Sequence, residues 1–168
     1  MQLPDAEILF KDLAKKIKND CDKNVALIGI HTGGVWLAER LHQELEIAQP
    51  LGTLDVSFYR DDFEKIGLPS EVKRSTIPFE VEGAHIILVD DVLNTGRTIR
   101  AAINELFDYG RPSRISLATL VDRGGRELPI TAQYTGIELT LPADKILVLK
   151  REKSGKLSLD LYDKNLPE

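Results

Sequence analysis

At 168 residues, with 42% hydrophobic and 29% charged residues, the chain has the makeup of one soluble globular domain spanning 1–168, long enough to enclose its own core. A formal net charge of −5 and a pI near 5.3 exclude a global field that attracts nucleic acid, while a local basic patch stays open. A single cysteine, Cys21, excludes an intrachain disulfide; scattered His31, His42 and His85 lack metal-ligand spacing; and the chain shows neither a membrane-length apolar run nor a signal-peptide pattern, so a reducing cytoplasm is the expected compartment.

In chain order, Pro4 suits a first helical turn, and Ile8, Leu9, Leu13 and Ile17 form an apolar stripe opposite Lys11, Lys15, Lys16 and Lys18. The lysines read as a solvated face. Val25 to Ile30 reads as a buried strand, followed by the loop His31-Thr32-Gly33-Gly34 and a helix with Val35, Leu37, Ala38, Leu41 and Leu45 on its apolar side. A second strand is expected over Leu54 to Tyr59, running into Arg60-Asp61-Asp62-Phe63 and an aperiodic stretch from Glu64 to Thr76. Such a loop can close over a substrate and bring Arg60 near leaving-group charge.

The most informative stretch comes next. Ile86 to Val89 is an unbroken apolar run, as in a parallel strand buried on both faces, and it ends at Asp90 and Asp91. Ligands of open α/β sheets bind outside the carboxyl ends of strands, so these carboxylates are placed to accept hydrogen bonds from a sugar diol or to help hold a cation. Asn94-Thr95-Gly96-Arg97-Thr98 then turns into a helix: Gly96 permits close backbone approach, Thr95 and Thr98 supply hydroxyls, and the N–H groups of the helix start attract a phosphate. That helix carries Ile99, Ala102, Ile103, Leu106 and Phe107 on one face and stops at Gly110 and Pro112.

Ile115 to Val121 gives another buried strand, followed by Asp122-Arg123-Gly124-Gly125-Arg126-Glu127-Leu128-Pro129. Arg123 and Arg126 are candidates for phosphate or RNA, and equally for a structural ion network with Asp122 and Glu127. Lys145 to Leu149 and Leu157 to Tyr162 are two terminal strands joined by the turn Lys153-Ser154-Gly155-Lys156. The class expected is α/β: a parallel β-sheet flanked by helices, with a small β-rich cover over the C-terminal sheet edge.

The stretch 86–98 resembles the phosphoribosyl-pyrophosphate (PRPP) signature of type I phosphoribosyltransferases. With Gly29 to Gly34, Tyr59 to Asp62, Gly110 to Ser113 and Leu120 to Pro129, the chain is similar over nearly its full length to the bifunctional pyrimidine-operon regulator and uracil phosphoribosyltransferase family. The resemblance implies a magnesium-dependent conversion of uracil and PRPP to uridine monophosphate (UMP) and pyrophosphate. Asp90 and Asp91 would bind the ribose hydroxyls and, mainly through PRPP, the magnesium. Asn94, Thr95, Gly96, Arg97 and Thr98 would hold the 5′-phosphate, Thr32, Gly33 and Gly34 the pyrophosphate, and the segment from Val121, with Asp122 and Arg123, the base. Asp90, Asp91 and Arg60 are the residues expected to act in catalysis.

Two departures stand out. Gly33 occupies a position where many relatives carry arginine, and Asn94 one where 6-oxopurine enzymes place an aspartate that addresses the purine, which favours a pyrimidine. The resemblance also implies a homodimer or higher homo-oligomer and an alternative of another class, an RNA-binding, nucleotide-sensing attenuation regulator acting on pyrimidine-operon mRNA with little or no catalysis. The basic residues available for that role, Arg111, Arg114, Arg123 and Arg126, are sparse and partly offset by acids.

Overall fold

The structure is a computed structural model that describes residues 2–21, 23–56 and 75–164. Helix α1 (Ala6–Asp20) is followed by strand β1 (Ala26–Ile30), helix α2 (Gly33–Glu44) and a short strand β2 (Gly52–Leu54). Then come β3 (His85–Leu93), helix α3 (Arg97–Leu106), β4 (Arg114–Asp122), β5 (Tyr134–Glu138) and an antiparallel hairpin of β6 (Lys145–Arg151) and β7 (Leu157–Asp163).

β1 to β5 form one sheet in the order β2-β1-β3-β4-β5, every neighbouring pair parallel. The apolar runs are continuous because both faces are covered. Leu27, Ile87, Val89, Ala118 and Leu120 pack with α1, α2 and the hairpin, whereas Ala26, Ile28, Ile30, Ile86 and Leu88 pack with Ile99, Ala102 and Leu106 of α3. Each Leu or Ile so enclosed contributes about 1.5–3 kcal/mol relative to exposure.

The first helix starts two residues beyond Pro4. Asp5 is its N-cap, with Oδ1 accepting the N–H of Glu7 (2.8 Å) and of Ile8 (3.4 Å). This start sets the buried face as Ala6, Leu9, Phe10, Leu13, Ala14 and Ile17, and leaves Ile8, expected in the stripe, 58% exposed. Successive residues turn by about 100°, so Ile8 lies far round from Ala6 and outside the face that continues through Leu9 and Phe10. The end of α1 is tied to β5, where the Tyr134 hydroxyl donates to Asp20 and lies 2.9 Å from the Cys21 sulfur. Phe107, expected on the apolar face of α3, is its C-cap residue and is 53% exposed.

Two strands differ from expectation. β2 covers Gly52–Leu54 and bridges Thr53 to Thr76 through two 2.8 Å backbone hydrogen bonds, so it meets the strand expected over 54–59 only at Leu54; residues 57–59 of that strand lie outside the described residues. β5 was not apparent in the sequence because Gly136 sits at its middle and its side chains show no clean alternation. A Cβ on Gly136 would lie 2.4 Å from the Leu120 carbonyl oxygen, a close approach that only glycine permits.

The hairpin is a separate two-stranded sheet rather than an extension of the main one. Leu147, Leu149, Leu157 and Leu159 complete the core on the α1 and α2 side, and Glu7 of α1 accepts both guanidinium arms of Arg40 (2.7 and 2.9 Å) and the Leu157 N–H (2.8 Å). Arg40 also lies over the Phe10 ring, and Arg151 over Trp36. Among the described residues, no helix is long and apolar enough to cross a membrane.

Candidate active site

The sheet order reverses between β1 and β3: from β1 the chain steps outward to β2, then crosses back to β3 on the other side. In sheets of this order the crevice outside the carboxyl ends at that reversal is where ligands bind. β1 pairs with β3 only as far as Gly29 opposite Val89, whereas β3 and β4 continue together through Asp90 opposite Thr119 to Leu93 opposite Asp122. β3 is therefore longer than its apolar run, and both carboxylates lie within the strand, just past its last partner on β1. The Thr119 hydroxyl donates to the Asp91 carbonyl (3.2 Å) and to the Val121 carbonyl (3.0 Å).

The start of α2 covers this ledge at contact distance. A Cβ built on Gly34 would sit 2.3 Å from the Val89 carbonyl oxygen, and one on Gly33 would sit 2.4 Å from Asp91 Oδ2. The Thr32–Gly34 loop and the carboxylate pair therefore form one continuous wall. Asp90 is buried, 4% exposed, with Oδ1 accepting the Asp91 N–H at 2.9 Å; Asp91 is half-buried and Oδ1 accepts the Val92 N–H at 2.8 Å.

Beside the ledge, Gly96 is the N-cap of α3 with φ of 94°, a conformation glycine adopts without strain. Gly96 has no side chain with which to cap this helix, and from within the loop the Thr95 hydroxyl accepts the N–H of its first residue, Arg97, at 3.2 Å. Asn94 to Thr98 thus present a helix start at the same edge as the carboxylates.

The segment after β4 folds onto that loop. The Thr95 carbonyl accepts the N–H groups of Glu127 (2.9 Å) and Leu128 (3.2 Å), and Leu93 accepts that of Arg123 (3.0 Å). Arg126 donates to Asp122 Oδ2 (2.6 Å), the Asn94 carbonyl (2.9 Å) and the Ile130 carbonyl (2.7 Å). Burial pushes the Asp122 carboxyl up, but the Arg126 hydrogen bond, the Gly124 N–H and the Arg126 charge outweigh it and hold the group below the ordinary carboxylate range.

Of the ion network expected among Arg123, Arg126, Asp122 and Glu127, the Arg126–Asp122 pair is present, whereas Glu127 pairs with Arg97 and Arg123 binds carbonyls. Arg123 donates to the carbonyls of Lys145 (2.8 Å) and Pro142 (3.0 Å), fastening the hairpin to the end of β4, and Arg97 pairs with Glu127 at 2.7 Å. Burial also lowers the pKa of Arg123. Val121 is wholly buried, and its carbonyl accepts the Thr119 hydroxyl at 3.0 Å. Arg111 and Arg114 are exposed.

Thr32, Gly33, Gly34, Asp90, Asp91 and 94–98 are thus brought to one edge, with 121–123 beside them; Arg60 and residues 57–74 lie outside the described residues. The role of Arg126 as a clip on the Asn94 loop was not legible: beside Asp122, which the sequence offered, its partners are two backbone carbonyls, for which sequence carries no signal. Among the described residues no three His, Cys, Asp or Glu side chains converge on a metal position. An open groove of about 460 Å³ lined by Glu7, Arg40, Ser154, Gly155 and Lys156 lies at the hairpin tip, and its guanidinium is already engaged by Glu7.

Residues 2–148 match the Phosphoribosyl transferase domain family. The chain is 48% identical over 163 residues to the Bifunctional protein PyrR of Nitrosococcus oceani, covering 94% of this chain and 92% of that protein. It is 52% identical over 149 residues to the Bifunctional protein PyrR of Pseudomonas aeruginosa, covering 86% and 88%. A purine phosphoribosyltransferase from Pyrococcus horikoshii superposes with a TM-score of 0.60 at 27% identity, over 80% of this chain and 82% of that one. With the carboxylate ledge, the glycine loop and the helix start at the switch point of the sheet, these matches show that the chain belongs to the phosphoribosyl transferase family and, within it, to the bifunctional PyrR proteins.

Proposed function

We propose that the chain, acting as one domain over 1–168, transfers the phosphoribosyl group of PRPP to uracil, giving UMP and pyrophosphate. The observation that carries this reading is the approach of Gly33 to the Asp91 carboxylate, because it sets a backbone cradle for pyrophosphate directly beside an acceptor for a ribose diol. Asp90 and Asp91 hold the ribose hydroxyls. The helix start at Asn94, Thr95, Gly96, Arg97 and Thr98 takes the 5′-phosphate, Thr32, Gly33 and Gly34 take the pyrophosphate, and the base lies against Val121, Asp122 and Arg123.

The chemistry asks for little acid or base assistance. As the C1–pyrophosphate bond lengthens and breaks, the ribose gains oxocarbenium character, and uracil N1 forms the new bond from the opposite side while its proton passes to water. Binding all three parts of the substrate fixes that alignment, and the Asp90 and Asp91 carboxylates supply negative charge near the ring. Arg60 belongs to this reading as a group brought to the leaving pyrophosphate. Two adjacent carboxylates suit magnesium, which is commonly held by one or two carboxylates together with substrate phosphates and would supply charge neutralisation there.

The relatives are named bifunctional, which supports a second, regulatory role in which pyrimidine nucleotide at this site controls binding to pyrimidine-operon mRNA. The inward engagement of Arg123 and Arg126 leaves Arg111 and Arg114 as the exposed members of the basic group named in the sequence. We place the protein in the cytoplasm as a homodimer or higher oligomer.

The test is nucleotide synthesis from PRPP and magnesium with uracil, hypoxanthine, guanine and orotate in parallel. Turnover with uracil alone supports the reading. Turnover with a purine overturns the base assignment, and no turnover despite UMP binding and UMP-responsive RNA binding at low salt moves the weight to the regulator.

A further inference from the structure

We infer that Arg126 is a positioning residue that fixes the phosphate loop from behind and thereby joins the phosphate site to the base-side segment; this rests on the transferase reading above. The turning residue at the start of α3 is Gly96, which has no side chain to cap the helix, and from within the loop the Thr95 hydroxyl accepts the Arg97 N–H at 3.2 Å. A further hold comes from outside. Arg126 reaches the Asn94 carbonyl of the phosphate loop while its other donors take Asp122 Oδ2 and the Ile130 carbonyl, the two ends of its own segment.

Peptide planarity gives this contact its reach. In a trans peptide the Asn94 carbonyl and the Thr95 N–H point in opposite directions, so a guanidinium that fixes the carbonyl also fixes the direction of that N–H. The Thr95 carbonyl, one residue on, accepts from Glu127 and Leu128, which sets the next peptide plane from the same side. Ile130 packs at 3.0 Å from where a Gly96 Cβ would stand, and Asn94 Oδ1 at 2.7 Å from where a Gly125 Cβ would stand. The loop is thus clamped along its outer side by 122–130, and Arg126 is the side chain at the centre of the clamp.

A planar fork with five donors is required here. Lysine presents a point charge that can keep Asp122 but has no rigid geometry for two carbonyls as well. Asp122 keeps its place in β4 and its bond from the Gly124 N–H without Arg126, whereas the Asn94 carbonyl loses this guanidinium, so loosening it weakens the grip on the ligand's phosphate more than the contact with the base.

The experiment compares wild type, Arg126→Gln and Arg126→Lys by KM for PRPP, KM for uracil, kcat and Tm. We expect the glutamine variant to raise KM for PRPP by roughly tenfold or more, the scale of losing charge-assisted hydrogen bonds, with KM for uracil within about twofold. Lysine should fail to restore the wild-type value, whereas added guanidinium at millimolar concentration should restore part of it in the glutamine variant. Equal rises in both KM values, no rise in either, or a lysine variant with wild-type KM for PRPP would overturn the inference. If the glutamine variant does not fold, the lysine variant decides by the same split. A wild type that neither turns over PRPP nor binds UMP overturns the transferase reading and this inference with it, whereas an active wild type with unsplit variants overturns this inference alone.

Discussion

Adding one methyl group at Gly34 or at Gly33 has different consequences, because the two positions face different kinds of neighbour. At Gly34 the new Cβ meets backbone: the Val89 carbonyl oxygen at 2.3 Å and the Asp90 Cα at 3.1 Å. Neither can step aside without moving β3, so the start of α2 must lift. Overpacking of this kind costs about 1–3 kcal/mol, and at about 2–4 °C per kcal/mol for a domain of this size Gly34→Ala should lower Tm by about 2–12 °C. At Gly33 the Cβ meets a side chain rather than backbone, Asp91 Oδ2 at 2.4 Å, Cγ at 2.9 Å and Cβ at 3.0 Å; the carboxylate can turn away, and a shift of a few tenths of an ångström relieves the Cβ contact at small cost in stability. Gly33→Ala should therefore keep Tm within about 2 °C of wild type while displacing the carboxylate assigned to the ribose, with KM for PRPP rising by roughly tenfold. Calorimetry and initial rates on the two variants read both effects. Equal Tm for Gly34→Ala and wild type, or an unchanged KM for PRPP in Gly33→Ala, would refute the claim that loop and carboxylates form one wall.

Two further outcomes follow from the same geometry. Asp91→Asn keeps the shape of the side chain but removes its charge, and should reduce kcat/KM for PRPP by roughly 10- to 100-fold with little change in Tm; steady-state kinetics beside a thermal melt would check this, and unchanged turnover would remove Asp91 from the ribose site. The Arg40 hydrogen bond holds the Glu7 carboxyl below its ordinary value of 4.5, against the opposing effect of burial. A depressed carboxyl contributes stability that is present above the unfolded value and is lost as pH falls through the folded one. Denaturant midpoints of wild type and Glu7→Gln should therefore converge as pH is taken from 6 towards 3, and a constant gap between them would show that the pair contributes nothing through ionisation.

Much of this architecture is legible in residue order because β1, β3 and β4 announce themselves as unbroken apolar runs, the first two each followed by a turn and an amphipathic helix. Periodicity locates α2 and α3, although the exact face of α1 depended on where Asp5 set its first turn, which moved Ile8 out to solvent. β5 was hidden because the feature that makes it possible, Gly136 under the Leu120 carbonyl, reads as a strand breaker when taken alone. The candidate site divides in the same way. Carboxylates at a strand end and a Thr-Gly-x-Thr turn are side-chain patterns, and sequence displays them. The reversal of strand order that brings the Thr32 loop against Asp91, and the carbonyl acceptors that turn Arg126 and Arg123 inward, are properties of the backbone, which sequence does not display.

The measurement that tests the central claim most directly is amide hydrogen exchange of the full chain with and without PRPP and magnesium. The account predicts new protection at 32–35 and 94–99, the loop and helix start on either side of the Asp90 and Asp91 ledge, with β2 and the hairpin tip unchanged. Protection centred on the groove between Arg40 and Lys156, with none at 94–99, would contradict it.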